Sequence, residues 1–91
     1  MMTFEDLYEG CIFSSGDASV RKCLHLESEW AVILNYSTSH YICDIELCDK
    51  NSDMFENKDL SIIEDESERT YFKYMFDNMK VINHDTLKPD V

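Results

Sequence analysis

Three strand-length segments in the middle of the chain constrain its fold most strongly. Residues 20–26 alternate partly between apolar and polar side chains, and residues 30–34 form a continuous apolar run. The short polar break at 27–29 between them is typical of a hairpin turn. In residues 41–48, one apolar set of side chains alternates with a second set that is largely polar, which predicts a third strand. Because consecutive strands usually pair, these segments predict an antiparallel sheet.

Two further segments have helical patterns. Acidic residues at 64–68 are typical of a first helical turn, and a lysine near the end also suits the helix dipole. Thr3 and Gly10 bracket a second, shorter helix near the N-terminus. The apolar stretch 60–63 is either a fourth strand or another short element. The later helix carries apolar side chains at the i, i+3, i+4 and i+7 spacing of one buried face, namely Phe72, Met75, Phe76 and Met79.

These elements predict a single α+β domain over residues 1–91. The fold is a small antiparallel sheet of three to four strands, with a short N-terminal helix and a long C-terminal helix packed on it. A chain of 91 residues is too short for a second domain. The apolar fraction of 44% is enough to build a core, so the chain is expected to fold. The tail from about residue 86 is expected to be frayed.

Acidic residues dominate the charge of the chain. Nineteen Asp and Glu against eight Lys and Arg give a net charge of −11, which excludes direct attraction to nucleic acid or to an anionic membrane. The charge is concentrated in residues 44–68, which hold ten acidic residues and only two lysines. We call these ten residues the carboxylate array: Asp44, Glu46, Asp49, Asp53, Glu56, Asp59, Glu64, Asp65, Glu66 and Glu68.

The charge and spacing of the carboxylate array permit mimicry of DNA. A duplex 30 Å long carries about 18 phosphate charges, and about half of them face a protein on one side. Carboxylates three or four residues apart on a helix, or two apart on a strand, are separated by about 6 to 7 Å, similar to successive phosphates. A DNA-binding protein would then be steered to this surface as it is to DNA. The alternative is that the acids serve solubility and favourable placement at a helix start.

The chain also resembles a known family over nearly its full length. From residues 4–13, FEDLYEGCIF, through the acidic middle to residues 71–76, YFKYMF, it is similar to the Arn-type anti-restriction proteins of T-even bacteriophages. The resemblance rests on size, acidity and overall pattern. It implies a dimeric DNA mimic that occupies the DNA-binding surface of a host nuclease, a modification-dependent restriction enzyme of the McrBC type. An acidic adaptor that binds a basic host protein other than a nuclease is the alternative function.

The sequence offers little support for catalysis or for a cofactor. Its three histidines are scattered without a catalytic signature, and its two glycines cannot form a phosphate-binding loop. An EF-hand pattern of oxygen ligands begins at Asp49 but fails, because Met54 and Leu60 replace the required Gly and Glu. We therefore predict no enzyme activity and no cofactor, and keep a small enzyme or metal protein as a lesser alternative.

Four cysteines bear on the cellular compartment. Cys11, Cys23, Cys43 and Cys48 contain no Cys-x-x-Cys pair, and no basic residue precedes Arg21 to begin a secretion signal. We expect reduced, buried thiols in a cytoplasmic protein rather than disulfides. Zinc bound by these cysteines, with His25 or His40 as a further ligand, is a lesser alternative.

Overall fold

A computed structural model describes residues 2–16, 19–37 and 42–78 of the chain. Within these ranges the fold is α+β, with one five-stranded antiparallel sheet, one α-helix and two short 3-10 helices. The strands are β1 (Ile12–Ser14), β2 (Ser19–Leu26), β3 (Trp30–Ser37), β4 (Ile42–Asp49) and β5 (Ser61–Ile62). The helix α1 spans Glu66–Asn78, and the 3-10 helices span Phe4–Asp6 and Asp53–Glu56.

The strand order across the sheet is β4-β3-β2-β1-β5. The predicted hairpin is present as β2 and β3, and the predicted third strand is β4, which pairs with β3 in a register that sets Ile45 opposite Leu34. The sheet has five strands rather than three or four, because residues 12–14 add β1 and part of the undecided apolar stretch forms β5. β5 pairs with β1, so Phe13 lies opposite Ile62.

One face of the sheet, which we call the loop face, is covered by chain segments outside the sheet. Phe13, Cys23, Ala31 and Ile33 have no exposed surface on this face. Burying large apolar side chains in this way is the main favourable contribution to folding. The covering residues come from the N-terminal segment and from the segment around the second 3-10 helix: Met2, Phe4, Leu7, Phe55 and Leu60.

The opposite face, which we call the helix face, packs against α1. Phe76 is buried there, and its ring meets the ring of Tyr36 edge to face with centroids 6.3 Å apart. Phe72 and Met75 are partly buried in the same cluster, as their helical spacing predicts. Met79 and the tail from residue 86 lie outside the described residues.

The N-terminal helix is shorter than the sequence pattern indicates. Only Phe4–Asp6 is helical, in 3-10 form, and the backbone N–H of Thr3 donates to the Asp6 carboxylate at 2.8 Å. Beyond that turn the backbone bonds to the sheet instead of continuing a helix, since the Gly10 N–H donates to the carbonyl of Cys23 at 2.8 Å. Gly10 has a φ of +90°, a conformation that favours glycine.

The burial of side chains on β4 differs from the predicted division into one apolar, buried face and one polar, solvent-exposed face. Cys43 is buried on the helix face, but Leu47 on the same face is 70% exposed. Cys48 is buried on the loop face, which was expected to be largely wet at this strand. The reason is that α1 covers the helix face near the start of β4, whereas the segments outside the sheet cover the loop face near its end. No helix in the described part of the chain is long and apolar enough to cross a membrane.

Candidate partner-binding surface

The carboxylate array divides between the two edges of the sheet. Asp44, Glu46 and Asp49 lie on β4, one edge strand, whereas Asp59 and Glu64 flank β5, the other edge strand. Four strand spacings separate these edges, which amounts to about 19 Å. The second 3-10 helix contributes Asp53 and Glu56 between the two groups, and the start of α1 contributes the remaining members, Asp65, Glu66 and Glu68.

Three carboxylates near β5 share one cleft. Asp59, Glu64 and Glu68 line this open cleft of about 490 Å³, together with Phe72. At the β4 edge, Asp44 and Glu46 line a different cleft. Glu66 lines a third cleft, beside Arg69. The structure therefore divides the array among separate clefts and does not bring it together as one continuous surface.

Some array members also have a local structural role. The Asp65 carboxylate accepts a hydrogen bond from the Glu68 N–H at 3.0 Å and so caps the N-terminus of α1. The Asp49 carboxylate accepts from the Asn51 N–H at 2.9 Å and stabilises the turn after β4. At these two positions the placement expected of an acid at a helix start or in a turn is present in the structure.

None of the ten array members forms an ion pair with a described Lys, Arg or His. Nine of them are exposed, and Asp44 is half-buried. Lys50, in the middle of the acidic segment, instead lies 3.9 Å from Glu5 and 3.6 Å from Glu29, both outside the array. The negative charge of the array is therefore uncompensated by ion pairs within the part of the chain that the structure describes.

The four cysteines are buried free thiols. Cys11, Cys23 and Cys48 belong to the loop-face cluster, and Cys43 belongs to the helix-face cluster. Burial, which removes water from the thiolate, raises the pKa of Cys23 and of Cys48 to about 11. The two thiols are thus held more firmly in the protonated form than an exposed cysteine.

The described residues assemble neither metal pattern of the sequence as a site, and His40, one of the two histidines of the zinc alternative, lies outside them. In residues 2–16, 19–37 and 42–78, no group of three or more His, Cys, Asp or Glu side chains is placed to hold a metal ion. The residues of the EF-hand pattern form a turn after Asp49 and then the second 3-10 helix, in which the Ser52 hydroxyl accepts from the Met54 N–H at 3.4 Å.

An exposed apolar patch lies beside the β4 group and was missed by sequence reasoning. Trp30 is 39% exposed and Leu47 is 70% exposed, and both line an open cleft with Asp49 and Glu29. Trp30 belongs to the apolar run of β3, a pattern that predicts burial, and yet it is exposed. Large apolar side chains ringed by charged ones are typical of protein-binding surfaces.

Comparison with known proteins identifies no relative of this chain: no protein-family model matches it, and neither a curated protein nor a solved structure is significantly similar to it.

Proposed function

We propose that the protein is a DNA-mimic inhibitor that acts against restriction. Its carboxylate array takes the place of DNA on the DNA-binding surface of a host modification-dependent restriction nuclease of the McrBC type. The protein acts as a homodimer in the cytoplasm of the host cell. The observation that carries this proposal is that ten carboxylates within 25 residues have no ion-pair partner among the described residues.

The magnitude of the charge supports the proposal. The described molecule is 41 Å long. Duplex DNA of that length carries about 24 phosphates, of which about half face one side. The net charge of −11 is close to that figure. A positively charged DNA-binding surface would therefore be steered to this protein as it is to DNA.

The division of the array into two edge groups is compatible with mimicry, because a duplex also presents two separate rows of phosphates. Along β4, Asp44 and Glu46 are two residues apart on one strand and so about 6.6 Å from each other. The array members that cap the helix and stabilise a turn hold their carboxylates in fixed positions, which lowers the entropic cost of binding.

The proposal is tested by reversing the charges of the array members near β5. One variant carries Asp59→Lys, Glu64→Lys and Glu68→Lys, and the control reverses three acids outside the array, Glu5, Glu29 and Asp77. Both variants change the net charge equally. Inhibition of DNA cleavage by an McrBC-type nuclease is measured at fixed salt, since electrostatic binding depends on salt.

We expect the array variant to inhibit at least about tenfold more weakly than the control variant, since several charge-assisted contacts are lost. Duplex DNA added in excess should also displace the wild-type protein from the nuclease. Equal inhibition by the array and control variants would show that total charge, rather than the array, matters. No inhibition by the wild-type protein would refute the proposal for this class of nuclease.

A second candidate function is an acidic adaptor that binds a basic host protein other than a nuclease. The exposed Trp30 and Leu47 beside Asp49 favour it, because aromatic anchors within a polar rim are typical of protein–protein interfaces. Competition separates the two functions. Duplex DNA displaces a DNA mimic from its partner but leaves an adaptor bound.

A further inference from the structure

The two flanks of α1 carry opposite charges. On one flank, Glu68 and Phe72 face the acidic cleft near β5. On the other flank, Arg69 and Lys73 are spaced i, i+4, which places them next to each other on the helix surface. They line a second cleft, which we call the basic cleft, together with Lys22 from β2.

The basic cleft concentrates cations in a strongly acidic protein. Lys22, Arg69 and Lys73 are three of the six Lys and Arg in the described residues. None of the three forms an ion pair with a described acidic residue, although Glu9 and Glu66 also line the cleft. Three like charges on one cleft repel one another, and an anion bound between them would relieve that repulsion.

The acidic side chains of the cleft only partly offset these cations. The Glu9 carboxylate is engaged elsewhere, since it accepts from the Leu26 N–H at 3.2 Å and lies 3.4 Å from Nδ1 of His25. Glu66 is exposed at the start of α1. The acids near β5 lie on the opposite flank of the helix, and charges beyond about 8 Å are largely screened at physiological salt.

The dimensions of the basic cleft suit a small ligand. Its volume is about 440 Å³, within the usual range for small-molecule sites. The cleft is open to solvent at Gly10, where a Cβ would meet no other atom within 4 Å. Tyr8 borders the cleft with 48% of its surface exposed, so its ring is accessible.

We propose that the basic cleft binds a small anion bearing phosphoryl groups. The Arg69 guanidinium can donate to two phosphoryl oxygens at once, and the two lysines supply point charges on either side. The shared chemistry is a di- or polyphosphate, either free or as part of a nucleotide. A nucleotide would in addition stack its base on Tyr8. This inference does not depend on the proposed DNA mimicry, because the cations that would bind the anion lie outside the carboxylate array, although the array member Glu66 also lines the cleft.

Isothermal titration calorimetry of the full chain with inorganic pyrophosphate and with adenosine diphosphate tests the proposal. We expect saturable binding at physiological ionic strength, where the acids on the opposite flank of α1 are screened, with a stoichiometry of one. Arg69→Ala and Lys73→Ala should each weaken binding about tenfold, since a charge-assisted hydrogen bond is lost. Lys22→Gln tests the same site from β2. The matched control is Lys58→Ala, which removes an exposed cation with no described ion pair that lies outside the cleft.

The Tyr8→Ala variant distinguishes a nucleotide ligand from a free anion, and two results would overturn the proposal. If Tyr8→Ala weakens the diphosphate nucleotide but not pyrophosphate, the proposal holds with a nucleotide as ligand. If both anions bind equally well to Tyr8→Ala, it holds with the free anion. Absence of saturable binding of either anion at about 10 mM would overturn the proposal. Equal weakening by Lys58→Ala would also overturn it, because binding would then follow total charge rather than the cleft.

Discussion

The two faces of the sheet are covered in different ways, and they differ in how completely they exclude water. On the loop face, two segments outside the sheet insert several apolar side chains, and Phe13 and Ile33 have no exposed surface. On the helix face, a single straight helix covers the sheet around Tyr36 but leaves Leu47 largely exposed. Irregular segments follow the twist of a sheet, whereas one helix covers only one strip of it. The loop face should therefore contribute most of the stability.

The largest expected effect is that of Phe13→Ala on the loop face. Removing a fully buried phenylalanine ring leaves a cavity and costs about 3 to 5 kcal/mol in the free energy of unfolding. Chemical denaturation followed by circular dichroism measures the loss. Because this approaches the whole stability of a domain of this size, Phe13→Leu serves as a milder variant. A loss below about 1 kcal/mol for Phe13→Ala would contradict the assigned core.

Phe76→Ala on the helix face should have a smaller effect, about 3 kcal/mol in the same measurement. The ring is 5% exposed, and α1 can move towards the sheet to fill part of the cavity. The matched control is Tyr74→Ala, an exposed aromatic on the same helix, which should cost little. If Phe76→Ala costs more than Phe13→Ala, the comparison between the two faces is reversed.

The buried thiols of the loop face should make the free energy of unfolding depend on pH. The pKa of Cys23 and of Cys48 is raised from 9.0 to about 11 because burial disfavours the thiolate. The stability that this contributes is fully present below pH 9 and is lost as the pH rises from 9 towards 11. Chemical denaturation of the wild-type protein and of Cys23→Ala at several pH values measures this contribution. The free energy of unfolding should fall less steeply with pH in the variant. An equal slope would show that Cys23 is accessible to water.

The smallest effect should come from Leu47→Ala, at the uncovered end of the helix face. Because 70% of this residue is exposed, the expected loss is below about 0.5 kcal/mol in the free energy of unfolding. The same variant should weaken binding to a protein partner if the apolar patch is part of an interface. A large loss of stability would mean that Leu47 is covered in the folded protein.

Sequence patterns predicted the elements that are long enough to have a period. The hairpin of β2 and β3 follows from a partly alternating stretch and an apolar run, β4 from alternation, and the apolar face of α1 from helical spacing; each of these elements has eight or more residues. β1 and β5 have three and two residues, too few for a period to be recognised. Their pairing is a tertiary event between distant parts of the chain.

The role of the ten carboxylates stays a prediction, and their arrangement in the fold could not be read from the sequence. Charge alone identified the ten carboxylates, and nine are exposed. Their division between two edges depends on β5 crossing the sheet to pair with β1, which no local pattern indicates. The basic cleft depends on the same crossing, because it forms only when α1 lies against Lys22 on β2.

The pairing of β1 with β5 has a consequence for the order in which the protein folds. Phe13 lies opposite Ile62, 49 positions further along the chain, whereas β2, β3 and β4 join their immediate neighbours. Contacts over such a separation close a long loop and form slowly compared with hairpins. The three-stranded meander can therefore assemble early, whereas β1 completes its place in the sheet only when residues 61–62 pair with it.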